Sequence, residues 1–99
     1  MKKVLYLIIA FLLTNSGYGQ TAVDLYNGGI DKYNLKDING AIADFTKAIE
    51  LSPLLAEAYF GRGIAKIGLG QKDSGCLDLS KAGELGSVEA YDAIKKYCN

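Results

Sequence analysis

The segment LYNGG at residues 25–29 returns 34 positions later as YFGRG at residues 59–63, and FTKA at 45–48 returns at the same interval as LSKA at 79–82. A fixed period of this length indicates a stack of helical hairpins, because one hairpin cannot bury its apolar face alone. Such stacks usually present a surface to a partner and seldom contain a reaction centre. The repeat therefore favours a binding function.

The composition disfavours several classes of function. The 99 residues contain eleven basic and eleven acidic side chains, so no excess of positive charge favours nucleic acid as a partner. Histidine is absent, which removes the usual general base at neutral pH, the His-assisted nucleophiles and most transition-metal sites. We predict a protein that is not an enzyme and that binds no cofactor and no metal.

Residues 1–19 have the three parts of a secretory signal peptide. A basic start at residues 1–3 precedes ten apolar residues at 4–13, and small residues stand at Gly17 and Gly19. The apolar run is about half of the roughly 20 residues that a membrane-spanning helix needs. We expect cleavage after Gly19, export to the periplasm or the medium, and no stable membrane span afterwards. An uncleaved anchor is the alternative.

The remainder of the chain is expected to form helices separated by short turns. Apolar residues recur at steps of three and four over 22–35, 41–51, 56–69, 76–85 and 87–97. We expect Asp37 to cap the second helix and Asp73 or Ser74 to cap the fourth. The second helix should end before Pro53, because the residue before a proline avoids the helical region.

The spacing resembles the tetratricopeptide repeat (TPR), a helix-turn-helix unit with a recurring pattern of aromatic, small and apolar positions. The first unit fills that pattern with Leu25, Gly28, Gly29, Ala41, Phe45, Ala48 and Pro53. The second unit fills it with Tyr59, Arg62, Gly63, Gly75, Leu79 and Ala82. The resemblance covers nearly all of residues 22–99.

The second unit departs from the family pattern at its end. Ser87 replaces the proline, and the tripeptide at 57–59 recurs at 89–91, only 32 positions further on. A Sel1-like variant of the same architecture stays open for this reason. A last helix with a polar outer face is expected to cap the stack, since the last hairpin otherwise exposes an apolar side.

These observations together predict an all-α protein, an α-α superhelix of two TPR-like helical hairpins plus a C-terminal capping helix. The predicted boundaries are a signal peptide at 1–19 and one domain at 20–99. Within the domain, repeat 1 covers about 22–55, repeat 2 about 56–87 and the capping helix about 88–98. The mature chain has nine basic and eleven acidic residues, a net charge of −2.

Cys76 and Cys98 are the only cysteines. If the last two helices turn near Gly86, a rise of about 1.5 Å per residue places both cysteines roughly 15–18 Å from the turn on antiparallel helices. The two cysteines are therefore expected to lie side by side on adjacent helices. Thiols of an exported protein also meet an oxidising environment. We predict a Cys76–Cys98 disulfide. Two separate buried thiols, or a redox or metal role, are the alternatives.

In the family, the first helix of each hairpin lines a concave groove that takes a peptide or a segment of another protein. By position, the resemblance implies a groove formed by Val23, Tyr26, Ile30, Tyr33, Asn34, Glu57, Phe60, Ile64 and Ile67. Aromatic side chains in a desolvated pocket are typical of interface hot spots. The alternative is that the same side chains pack on the neighbouring helix as ordinary core.

Arg62, the only arginine, is expected to pair with Asp44 or Asp78, with ligand contact as the alternative. One binding mode of the family, in which Lys and Asn grasp the C-terminal carboxylates of a partner, is not indicated, since Tyr26 and Ile30 occupy the matching places. We predict non-catalytic binding of a protein or peptide. A structural or assembly role, through self-association or completion of a longer repeat surface, is the alternative function.

Overall fold

The structure is a computed structural model that describes residues 20–99, so the predicted signal peptide lies outside the described residues. The described part contains five helices and no strand: α1 over residues 20–34, α2 Ile38–Leu51, α3 Ala56–Gly68, α4 Lys72–Glu84 and α5 Val88–Tyr97. The predicted all-α arrangement of two hairpins followed by a fifth helix is confirmed. None of the described helices has the length and hydropathy to cross a bilayer.

Three turns of three residues share one geometry. Their middle residues, Lys36, Gly70 and Gly86, have φ angles of 70°, 83° and 107°. The third residue of each turn donates its backbone N–H to a carbonyl in the last turn of the preceding helix, at 2.9 Å in all three. This left-handed ending suits glycine, which carries no Cβ to clash. The repeated turn fixes how α2, α4 and α5 each follow the preceding helix.

The turn geometry also determines where the helices begin. Asp37 caps α2 as predicted, because its side chain accepts the N–H of Gly40 at 3.0 Å. The prediction of Asp73 or Ser74 as the cap of α4 is wrong, since α4 begins at Lys72 and its flanking residue Gln71 makes no side-chain cap bond. The chain is already helical at Lys72, directly after the turn, so the helix begins before Asp73 and Ser74.

The shorter second repeat has a simple structural origin. Helix α2 has 14 residues and is followed by a four-residue connection at 52–55, which contains Pro53. Helix α4 has 13 residues and is followed by the three-residue turn at 85–87. One residue is therefore missing from the helix and one from the connection. Ser87, which replaces the proline, caps α5 by accepting the N–H of Ala90 at 3.3 Å.

The core consists mostly of small side chains. Only two large side chains are fully buried, among the described residues: Phe45 of α2 and Leu79 of α4, which occupy equivalent places in the two repeats. The other buried apolar residues are the alanines at 22, 41, 48, 56, 58, 65, 82, 90 and 93. Small residues let the helix axes approach closely, so the stack is thin and tightly packed.

Helices α3 and α4 meet at a pair of glycines. A methyl group placed on Gly63 would lie 2.8 Å from the carbonyl oxygen of Gly75, and one placed on Gly75 would lie 2.7 Å from that of Gly63. Backbone therefore touches backbone at this crossing. No larger residue fits at either position unless the two helices move apart.

One ion pair recurs in both hairpins. Lys32 of α1 lies 3.0 Å from Asp44 of α2, and Lys66 of α3 lies 3.0 Å from Asp78 of α4. The two pairs are 34 positions apart, so the period applies to charged contacts as well as to the core. Each pair links the two helices of its own hairpin.

The predicted disulfide joins Cys76 of α4 to Cys98, which directly follows α5. Their Cα atoms lie 5.9 Å apart, within the usual range for a disulfide. Near the other end of α5, the hydroxyl of Tyr91 donates to the carbonyl oxygen of Gly83 at 3.3 Å. The fifth helix is thus tied to the second hairpin at both of its ends.

The glycine crossing leads to a stability prediction. Gly63→Ala should lower the free energy of unfolding by about 1–3 kcal/mol, because the new methyl group meets the backbone of α4. Gly68→Ala is the matched control: it lies in the same helix, and a methyl group there meets nothing within 4 Å. The control should be neutral or stabilise by up to about 1 kcal/mol through helix propensity. Urea unfolding of both variants measures the difference, and equal stabilities would refute the close crossing.

Candidate functional site

Six of the nine predicted groove residues line one groove between α1 and α3. Its volume is about 270 Å³. The six are Tyr26, Ile30, Tyr33 and Asn34 from α1, with Phe60 and Ile64 from α3. Phe45 and Gly61 complete the lining. The period-based alignment therefore places residues that are far apart in sequence on one surface, although their role in binding stays a prediction.

The ring of Phe45 forms the floor of this groove. Phe45 is 1% exposed, and methyl groups placed on Gly29 and Gly61 would lie 2.6 Å and 2.7 Å from its ring atoms. The ring of Tyr26 packs against it with centroids 5.8 Å apart at an angle of 42°. Phe45 entered the sequence analysis only as a position of the repeat pattern, and spacing along α2 could not reveal that it also faces the groove. Gly61 was missed because a glycine contributes no apolar signal.

The walls of the groove are partly open to solvent. Tyr26, Ile30, Tyr33, Phe60 and Ile64 are all half-buried, whereas Asn34 is exposed. Half-burial is compatible with both interpretations of these side chains, core packing and a presented surface, so the choice between them stays a prediction.

Two of the predicted groove residues line neither this groove nor the second cavity described below. Ile67 does not line the groove; it lies over α4, where a methyl group on Gly75 would be 2.7 Å from its Cγ1. Ile67 follows Gly63 by four residues and so shares its face of α3, which is the face turned to α4. Val23 is 43% exposed and also lies outside the groove lining.

A second cavity of about 380 Å³ adjoins the first, and Tyr26 and Phe60 line both. The sequence predicted only Tyr26, Glu57 and Phe60 among its residues. The others come from the start of α3, the α4–α5 turn and the start of α5: Ala56, Leu85, Gly86, Ser87 and Glu89. Its two glutamates make it more polar than the apolar groove. The two cavities form one surface that crosses from α1 and α3 to the start of α5.

Tyr26, which lines both cavities, is affected by burial and by the charge of Glu57. Burial, and after it the negative charge of Glu57, raise the pKa of Tyr26 above its ordinary value of 10.0. Both causes disfavour the phenolate, so Tyr26 keeps its proton at physiological pH. Its hydroxyl therefore stays able to donate a hydrogen bond.

Among solved structures, the first TPR of Spaghetti (RPAP3) bound to the HSP90 peptide SRMEEVD is similar to this chain, with a TM-score of 0.74 and 25% sequence identity. The match covers 78% of this chain and 63% of that chain, so this chain spans less than two thirds of its neighbour's length. The fold is that of a tetratricopeptide repeat domain. No protein-family model and no curated protein matches the sequence.

Arg62 links three helices of this TPR-like fold and lines neither cavity. Its guanidinium donates two hydrogen bonds to Asp78 of α4, at 2.8 Å and 2.9 Å, and a third to the hydroxyl of Thr46 of α2 at 3.3 Å. It also lies 5.7 Å from the ring centre of Tyr59. Hydrogen bonding to Asp78 is the main cause that raises the pKa of Arg62. Asp78, rather than Asp44, is therefore its acidic partner.

The described residues contain no group of three or more His, Cys, Asp or Glu side chains placed to hold a metal ion. The arrangement that residues 20–99 do offer is a half-open apolar groove beside a more polar cavity. Such a surface can bind an extended segment of chain and orient it by charge.

The contacts of Arg62 predict a structural role. Arg62→Met should lower the free energy of unfolding by about 1–3 kcal/mol, since it removes charged hydrogen bonds and leaves Asp78 with Lys66 alone. Lys81→Met is the control; its ion pair with Glu84 is long, at 3.8 Å, and exposed, so little change is expected. Thermal unfolding measures both effects. Lost peptide binding in Arg62→Met at unchanged stability would instead make Arg62 a ligand residue.

Proposed function

We propose that this protein is a non-catalytic module that binds a peptide, or an extended segment of another protein, in the groove between α1 and α3. The observation that carries the proposal is the convergence of Tyr26, Ile30, Phe60 and Ile64 over the ring of Phe45. Half-buried aromatic and branched side chains around a concave space are typical of interface hot spots. The TPR fold is usually an interaction module, which agrees with this assignment.

The open shape of the groove favours a peptide over a small-molecule ligand. Sites for drug-sized molecules bury most of the ligand's surface, whereas the walls of this groove are half-open and would leave a bound molecule in contact with water. An apolar side chain of a peptide would enter the groove, while the peptide backbone continues along the surface into the second cavity.

The solved neighbour supports the mode of binding but not the partner. That structure is of a TPR bound to the peptide SRMEEVD. In this chain Tyr26 and Ile30 stand where the carboxylate-grasping side chains of the family would be, and both line the groove. We therefore propose that this protein binds a peptide in the same groove, but not that the peptide is acidic.

We further propose that the protein is exported. The basic, apolar and small-residue parts of segment 1–19 and the Cys76–Cys98 disulfide support this location, because disulfides persist in oxidising compartments. Protein recovered from the cell envelope should begin at Gln20. Recovery of the intact N-terminus from the cytosol alone would exclude export.

Self-association is the second candidate function. It is favoured by apolar side chains exposed outside the groove, notably Leu77 and Val88, which are 73% and 72% exposed, and Tyr91 at 57%. Contact between copies through these side chains would extend the stack or pair its ends. Light scattering on the purified protein at increasing concentration tests self-association, because a molecular mass that stays monomeric at all concentrations excludes this role.

The binding proposal is tested with peptides selected from a random dodecapeptide library on the purified protein. Phe60→Ala and Ile64→Ala should each weaken the selected peptides by about tenfold or more, as expected for hot-spot truncation. Leu77→Ala is the matched control, since this exposed side chain lies outside both cavities. Fluorescence anisotropy measures affinity, and circular dichroism verifies the fold. Equal affinity for all four proteins, or selection of no peptide, would contradict the proposed function.

A further inference from the structure

The surface formed by the two cavities carries charge of one sign. Glu57 and Glu89 line the second cavity, and no residue in the lining of either cavity is basic. Glu57 lies in the first turn of α3, and Glu89 lies in the first turn of α5. The apolar groove therefore opens at one end onto two carboxylates.

Both carboxylates are available to a ligand within the described residues. The buried and half-buried acids Asp44 and Asp78 are engaged by Lys32, Lys66 and Arg62. Glu57 and Glu89 are exposed and take part in none of the ion pairs of residues 20–99. Glu89 accepts one long hydrogen bond, at 3.4 Å, from the hydroxyl of Ser87. Their charges are thus not neutralised by a neighbouring cation of the described chain.

The distance between the apolar groove and the acidic cavity sets a spacing in the ligand. Ile64 and Glu57 lie on the same helix seven residues apart, which corresponds to about 10 Å at roughly 1.5 Å per residue. An extended peptide advances about 3.3 Å per residue. A side chain that fills the groove and a side chain that reaches Glu57 would therefore be about three residues apart.

Resting on the proposed function, we propose that the ligand is an extended peptide with an apolar or aromatic anchor side chain and a Lys or Arg about three residues from it. The anchor occupies the groove over Phe45, and the cation lies in the second cavity between Glu57 and Glu89. Charge complementarity selects this occupant over an acidic peptide, whose carboxylates would face two glutamates. The negative charges of Glu57 and Glu89 also stabilise the N-termini of their helices. Their removal would therefore lower stability in any case, and the test must measure binding.

The test compares charge variants of protein and peptide. The probe is the tightest peptide from the random library, together with versions in which its basic residue nearest the anchor is replaced by Gln or by Glu. The protein is used as wild type and as Glu57→Gln/Glu89→Gln, with Glu50→Gln as a matched control on the exposed side of α2. SRMEEVD serves as an acidic comparison peptide.

We expect selected peptides to carry Lys or Arg near the anchor, and the change to Glu to weaken binding to wild type and to Glu50→Gln by about tenfold at low salt. On Glu57→Gln/Glu89→Gln the same change should have an effect of less than about threefold. SRMEEVD should bind at least about tenfold more weakly than the selected peptide.

Three results would overturn the proposal, and they distinguish its failure from that of the proposed function. Peptides that depend on Phe60 but bind equally well with Lys, Gln or Glu would leave the proposed function intact and refute the cationic ligand. A preference for acidic peptides would do the same. If no peptide is selected, the proposed function itself fails, and the cationic ligand fails with it.

Discussion

The ring of Phe45 lies between two glycines, Gly29 of α1 and Gly61 of α3, and the spacing of the first three helices depends on this contact. A methyl group on either glycine would come within 2.7 Å of the ring, so the ring occupies the space that two side chains would otherwise take. Because the Phe45 ring of α2 fills this space, α1 and α3 carry glycines where they face it. The ring thereby sets the distance between α1 and α3.

The same contact makes the candidate site a part of the core. The Phe45 ring lines the groove, and the ring of Tyr26 packs against it at a tilt of 42°. A ligand would therefore touch a residue that also holds two hairpins together, and binding should stabilise the fold by mass action. The second hairpin has Leu79 at the equivalent place, and Leu79 lines neither cavity; the second cavity adds two glutamates to the aromatic wall that it shares with the groove. The two halves of the surface consequently differ in chemistry.

The helices, their pairing and six residues of the groove lining were predicted from the sequence. They could be predicted because the 34-residue period and the helical spacing are both patterns along the chain. Ile67 lies outside the groove lining because the face of α3 that it shares with Gly63 is turned to α4, and the sequence pattern does not reveal that crossing. The second cavity was missed as a unit, since the α4–α5 turn brings Ser87 and Glu89 beside Tyr26 from the far end of the domain. That contact is tertiary and leaves no periodic trace.

The central claim, that a ligand side chain enters the groove over Phe45, can be tested by isotope-filtered NMR of the protein with a bound peptide. The account predicts intermolecular NOEs from the apolar side chain of the peptide to the Phe45 ring and to the methyl groups of Ile64. NOEs confined to exposed residues outside the groove, such as Leu54 or Leu77, would contradict it.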